Sequence, residues 1–225
     1  MAGEDPLFFE LLDAFRAGGC PLCRLGQRAA ARYLDTLNYE GVNDPGLRQA
    51  LQKAQGLCHR HAWQWTRMRG SPLGVAIVYR HLVKDLATVM ENGTKAWTGL
   101  RRGRRSPAAG LQPTGPCPAC AVELEAVERY GRTLLARLNH PDLAPAYDAA
   151  GGLCLPHLRA ALALADEEQA RILQTRQLAV YRRLIAQLDE FIRKHDHRFR
   201  HEPFGVEKDA WARAVALVAG EAENV

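Results

Sequence analysis

The chain has 225 residues, 47% hydrophobic and 24% charged, a balance that lets a globular protein bury its own core as one domain or two small ones. A formal charge of +5 and a pI near 9.0 lean toward anionic partners such as nucleic acid. No run approaches the roughly 18 uncharged apolar residues of a membrane-spanning helix, and the acidic start Met1-Ala2-Gly3-Glu4-Asp5 does not read as an export signal. The expectation is a cytoplasmic protein with no membrane partner, in which an even cysteine count means metal ligands rather than disulfides.

Asp5-Pro6 is an N-cap followed by a first-turn proline, and Leu7, Phe8, Leu11, Leu12 and Phe15 recur at helical spacing until Gly18-Gly19 ends the helix. Cys20-Pro21-Leu22-Cys23 opens a second helix to about Tyr39, with Leu25, Ala29, Tyr33 and Leu37 on one stripe. Asn43-Asp44-Pro45 caps a third helix that ends at Gly56, a residue suited to the left-handed C-terminal position. A short fourth helix covers Cys58 to Met68; its Trp63 and Trp65 point to different faces, so at most one is buried. Ser71-Pro72 starts a longer fifth helix, with Ala76, Tyr79, Val83, Leu86 and Met90 predicted on its inner face. From Asn92 to Pro116 the chain holds five glycines, three prolines and the run Arg101-Arg102-Gly103-Arg104-Arg105, the signature of a linker.

The second half replays the first. Cys20 and Cys117 lie 97 residues apart, as do Tyr33 and Tyr130, while Cys58 and Cys154 lie 96 apart and Tyr79 and Tyr181 lie 102 apart. The last long helix repeats the stripe with Leu178, Tyr181, Ile185, Leu188 and Ile192. A shared order of CxxC, Arg-Tyr, GLCxxH and Tyr-Arg with two small length changes reads as internal duplication. No period-two alternation bounded by hairpin turns occurs, so the predicted fold is all-α, pseudo-twofold, with helical hairpins.

All six cysteines fall into matched pairs. Cys20 and Cys23 precede Cys58 and His61; Cys117 and Cys120 precede Cys154 and His157. Two short-spaced pairs supply four donors to a tetrahedral ion when the intervening chain folds back. The 34 residues between Cys23 and Cys58, and the 33 between Cys120 and Cys154, suffice for a helical hairpin, so each ion is predicted to pin the hairpin of its own half. His59 competes with His61 as fourth ligand, but His59 is matched by Leu155 in the second copy, which selects His61. Each set is then Cys3His, a closed shell that points to structural zinc. Three cysteines and a histidine also suit an iron–sulfur cluster, which leaves two clusters and a redox role as the alternative.

Two further regions carry candidate chemistry. Arg101, Arg102, Arg104 and Arg105 form either a phosphate-binding arm or a solvated linker. The segment after the last long helix has no counterpart in the first half: His197 and His201 stand four apart beside Arg198, Arg200 and Glu202, a candidate third-metal or anionic-partner region if the helix continues, and otherwise an ion-paired helix end stopped by Pro203. No Gly-rich phosphate loop, nucleophile elbow or HExxH pattern is present, which disfavours a hydrolase or nucleotide enzyme and leaves no catalytic residue to name.

The motifs Cys20 to Cys23, Val42 to Pro45, Gly56 to His61, Cys117 to Cys120 and Gly152 to His157, followed by the tail Phe191 to Asp209, resemble a bacterial family known as a domain of unknown function. The second copy carries Leu138-Asn139-His140-Pro141 where the family pattern has VNDP. The resemblance covers nearly the whole chain and implies the fold and metal binding, with no activity attached. The expected organisation is a first metal-binding repeat over 1–92, a linker over 93–116, a second repeat over 117–203 and a helical tail over 204–225. The expected function is an adaptor or binding module with an anionic partner; competing classes are a redox protein and an enzyme built on His197 and His201.

Overall fold

The computed structural model describes residues 5–39, 44–98, 108 and 110–222, with the backbone alone for 93–98. The described residues form ten α-helices and no strand: α1 (Pro6–Arg16), α2 (Pro21–Tyr39), α3 (Pro45–Lys53), α4 (His59–Thr66), α5 (Ser71–Thr98), α6 (Pro118–Ala136), α7 (Leu143–Ala150), α8 (Leu155–Leu164), α9 (Glu167–Lys194) and α10 (Ala210–Ala219). The fold is all-α, and no helix among the described residues is long and apolar enough to cross a membrane.

The helix starts follow the sequence. The Asp5 carboxylate accepts from the N–H of Leu7 at 3.1 Å and Asp44 from that of Leu47 at 2.7 Å, satisfying amide donors that no helical carbonyl reaches. Asp166 and Gln169 close a reciprocal capping box at the start of α9. The ends of α3 and α7 share one geometry. Gly56 donates to Leu51 O at 2.8 Å and Gln55 to Gln52 O, while Gly152 donates to Tyr147 O at 3.0 Å and Gly151 to Asp148 O, the paired bonds of a Schellman turn. Each turn has two consecutive residues at positive φ: Gln55 at 52° and the expected Gly56 at 105° in the first, Gly151 at 85° and Gly152 at 74° in the second. Both turns deliver a Gly-Leu-Cys segment to the next helix.

The chain divides into two compact units: residues 5–27 with 125–222, and the described residues of 28–124. The boundaries therefore fall inside α2 and inside α6, away from the expected divisions at 92/93 and 116/117. The core of the 28–124 unit is Leu34, Leu37, Leu51, Trp65, Val78, Leu82 and Ala119. Trp65 is fully buried, with its indole N–H donating to Asn38 at 3.2 Å, while Trp63 is exposed. Residues 110–115 are tied to this unit, with Thr114 and Gly115 donating to Lys53 O and Gln55 donating to Gly110 O. The other unit buries Phe8, Leu11, Leu12 and Phe15 of α1 with Tyr147, Leu153, Leu158, Leu173 and Val180.

Helix periodicity found part of the buried face of α2, through Leu25 and Leu37, and placed the stripes of α5 and α9 one flank away from their buried faces. On α2 the buried residues include Leu22, Leu25, Leu34 and Leu37, while Ala29 and Tyr33 are half-buried. On α5 the buried apolar side chains are Val78 and Leu82, Tyr79 and Leu86 are half-buried, and Ala76, Val83 and Met90 are exposed; on α9 the buried side chains are Leu173, Gln177 and Val180, whereas Leu178, Ile185 and Ile192 are exposed. Both helices are apolar over a wider arc than one core layer requires, so periodicity alone did not single out the buried flank.

Candidate metal centres

Each short-spaced pair occupies the same place on a helix. Cys20, Cys58, Cys117 and Cys154 stand immediately before the first residues of α2, α4, α6 and α8, and their partners follow three residues later, one turn on and on the same face. The carbonyls of these four residues accept the first helical bonds, from Arg24, Ala62, Ala121 and Leu158. Thiolates placed there face free N–H groups and the positive end of the helix dipole.

The pairs combine across the sequence halves. Cys20, Cys23, Cys154 and His157 form one group, and Cys58, His61, Cys117 and Cys120 the other, with all donor atoms of each group within 4.8 Å of one another. This corrects the expectation that each half closes its own site: the CxxC of one half meets the CxxH of the other, and each group lies wholly inside one compact unit. The physical reason is the turn into α4 and α8, which brings its histidine to the opposite CxxC. Loop length was compatible with either closure. His61 is the member of the second group, and His59 is not.

In the first group His157 Nδ1 lies 3.5, 3.3 and 3.2 Å from the sulfurs of Cys20, Cys23 and Cys154, and the sulfurs of Cys23 and Cys154 are 3.6 Å apart. In the second, His61 Nδ1 lies 3.4, 3.6 and 3.3 Å from Cys58, Cys117 and Cys120, and the sulfurs of Cys58 and Cys120 are 3.5 Å apart. A tetrahedron with metal–sulfur bonds of about 2.3 Å and a metal–nitrogen bond of about 2.0 Å has edges of roughly 3.5–3.8 Å. Both groups therefore fit a single ion with little adjustment.

The donors hold their protons unevenly. Burial pushes the Cys120 thiol up to about 12, reinforced by its hydrogen bond with Cys58. At Cys117 burial acts in the same direction, but hydrogen bonds from His61 and from the backbone of Cys58 and Cys120 outweigh it and bring the thiol down to about 6. At His157 burial lowers the imidazole, and its hydrogen bonds to Cys154, Cys20 and Cys23 carry it up to about 12. Ion binding must displace such protons, so loading strengthens as pH rises.

The surroundings of the two groups differ, through residues that no motif marked. Beside the second, the Glu123 carboxylate lies 3.6 Å from His61 Nε2 and pairs with Arg60. The Arg60 guanidinium lies 2.8 Å from the same Nε2; a histidine that offers Nδ1 to an ion keeps its proton on Nε2, and the Glu123 carboxylate beside it is the acceptor that would orient the ring. Beside the first, the end of α10 closes over the thiols: the N–H of Glu221 faces Cys23 Sγ at 3.4 Å, and its carboxylate accepts from the N–H of Cys20 at 2.9 Å. Gly19, beside that carboxylate, stands at φ 72°, a left-handed backbone conformation that glycine adopts without steric cost. Gln177 holds the Leu153 backbone from both sides, accepting from its N–H at 3.1 Å and donating to its carbonyl at 3.0 Å, and also accepts from the Tyr147 hydroxyl. A cavity of about 510 Å³ opens beside this group, lined by Cys20, Cys154, Arg183, Leu184, Leu217 and Glu221, within the size range of small-ligand sites.

Of the other candidate residues, those of the tail are not drawn into a metal-ligating group. Arg101, Arg102, Arg104 and Arg105 lie outside the described residues. Helix α9 ends at Lys194, and His197 sits in a single 3-10 turn, His197–Phe199, so the one-face spacing of His197 and His201 does not form. Among the described residues no group of three His, Cys, Asp or Glu donors includes His197, His201 or Glu202. The segment is instead knitted by charge pairs. Arg193 binds Glu190 and Glu202, Lys194 binds Glu207 at 2.6 Å, and Arg198 binds Asp196 at 2.8 Å. Arg200 and His201 are exposed.

The class defined by these observations is an all-α protein with two Cys/His groups, each able to hold a metal ion. The chain belongs to a family of unknown function, DUF6062, whose family model matches residues 7–225. It is 25% identical over 217 residues to a protein of Caldicellulosiruptor sp. (strain Rt8B.4) named "Uncharacterized 23.9 kDa protein in xynA 3'region", a match covering 93% of this chain and 99% of that one. No solved structure matches.

Proposed function

We propose that both groups bind zinc as closed structural centres, and that the chain is a helical binding module whose units these ions hold in shape. The observation that carries the reading is the compactness of the donors: two sets of four, each within 4.8 Å. One shared tetrahedral ion suits that spacing, whereas a cluster assigns its ligands to different irons and spreads them further apart. Four protein donors leave no open coordination position for substrate, which favours structural over catalytic metal.

The partner in this reading is anionic, nucleic acid being the simplest case, and it meets Arg101, Arg102, Arg104 and Arg105. The tail contributes less, since Arg193, Lys194 and Arg198 are neutralised by neighbouring carboxylates. Elemental analysis of protein purified with and without air tests the metal: two zinc ions per colourless chain are expected, and iron at cluster stoichiometry with visible absorbance would sink the zinc reading. For the partner, binding of labelled single-stranded DNA should weaken as salt rises and on changing the four arginines to alanine. Salt-independent binding, or none, removes the anionic partner and leaves the metal reading untouched.

A further inference from the structure

The α9 stripe expected to face the core forms a heptad repeat that is largely open to solvent instead. On α9, Leu178, Tyr181, Ile185, Leu188 and Ile192 alternate at spacings of three and four; Leu178, Ile185 and Ile192 are 45%, 56% and 67% exposed, and Tyr181 and Leu188 are half-buried. The helix meets its own core through Leu173, Gln177 and Val180. A strict seven-residue apolar repeat across two heptads, about 21 Å of helix, is the pattern that seats another α-helix, knob into hole.

We infer that this stripe is a homodimer contact in which α9 packs antiparallel on α9 of a second copy, with the two Ile185 side chains facing each other on the twofold axis. The choice of a second copy rests on charge. Arg182 and Asp189 follow Leu178 and Ile185 by four residues and flank the stripe; both are exposed, and neither forms a hydrogen bond or ion pair among the described residues. The antiparallel arrangement sets Leu178 level with Ile192, Tyr181 within one residue's rise of Leu188, and Arg182 of each copy within one residue's rise, about 1.5 Å, of Asp189 of the other. The surface is thus self-complementary in shape period and in charge, as a twofold contact must be. The comparable stripe of α5, Ala76 to Met90, is flanked at the same positions by Arg80 and Ala87, which offer no such pair. The contact is small, so association is expected in the micromolar range rather than tighter.

Sedimentation equilibrium of the full metal-loaded chain over roughly 1–200 µM, a range suited to a small interface, tests this. The expected result is a monomer–dimer equilibrium that Ile185→Glu weakens by more than about tenfold by facing two like charges across the axis. Asp189→Arg should weaken it several-fold, and adding Arg182→Asp should restore it by reversing both pairs. Helicity and ion content must stay unchanged, as an exposed position allows. Should Ile185→Glu disturb either, Ile192→Ser serves as the second probe. A chain that stays monomeric throughout, or a dimer indifferent to both substitutions, overturns the proposal.

Discussion

The two Cys/His groups are built from the same parts and protected differently. In both, a Cys-Pro-x-Cys helix start meets a Cys-x-x-His helix start, with histidine-to-sulfur distances of 3.2 to 3.5 Å in one and 3.3 to 3.6 Å in the other. Yet Cys20, Cys23 and Cys154 are buried, whereas Cys58, Cys117 and Cys120 are partly open. The difference comes from the tail. Helix α10 brings Gly220 and Glu221 onto the first group; among the described residues nothing equivalent caps the second, which has the Arg60–Glu123 pair behind its histidine. Ligand geometry is thus a local property of four helix starts, while protection depends on distant chain.

The sharpest way to break the comparison is to remove two ligands at once. Cys23→Ser with His61→Ala strikes one ligand of each spatial group and should abolish both ions, whereas Cys23→Ser with His157→Ala strikes one group and should leave one ion, counted by native mass spectrometry. Closure within sequence halves requires the reverse. Each lost ion is a large effect, since structural zinc contributes on the order of 10 kcal/mol of apparent binding energy in small zinc-binding domains. Intermediate effects separate the two surroundings. Glu123→Ala should lower affinity at the second group by roughly 10–100-fold, read by competition with a chromogenic chelator, and leave the first unchanged. Glu221→Ala should act on the first alone.

The smallest effect is a pH dependence confined to the unit that carries the tail. The Lys194 ammonium, together with the N–H of Gly205, holds the Glu207 carboxyl down at about 2. A carboxyl depressed by folding stabilises the fold above its unfolded value of about 4.3, and that contribution is lost as pH falls from there toward 2. Circular dichroism should show the chain losing stability over that window, and Glu207→Gln should flatten this part of the profile. An unchanged acid profile would mean that the clasp does not hold α10 in place.

Much of the fold was legible. Caps such as Asp5 and Asp44 fix helix starts because their side chains answer amides that the helix cannot, a chemistry confined to four or five residues. The eight residues that gather into two groups, and the place of His61 rather than His59 among them, were legible for the same reason: CxxC and CxxH at helix starts are local patterns. Glu123, Gln177 and Glu221 were not, since a lone carboxylate or amide becomes significant only beside what the fold brings to it. The flank of α9 that is buried was equally hidden, because Val180 and Ile185 are equally apolar and periodicity does not rank them.

The sequence by itself determined that the chain is helical and that four helix starts carry ligand pairs, because hydrogen-bond capping and three-residue ligand spacing act within one turn. Which pairs meet was decided only by tertiary structure. Closing a loop of 34 residues or one of more than 100 differs by little in chain entropy; helix packing outweighs that difference, and it brings Cys23 to Cys154 rather than to Cys58.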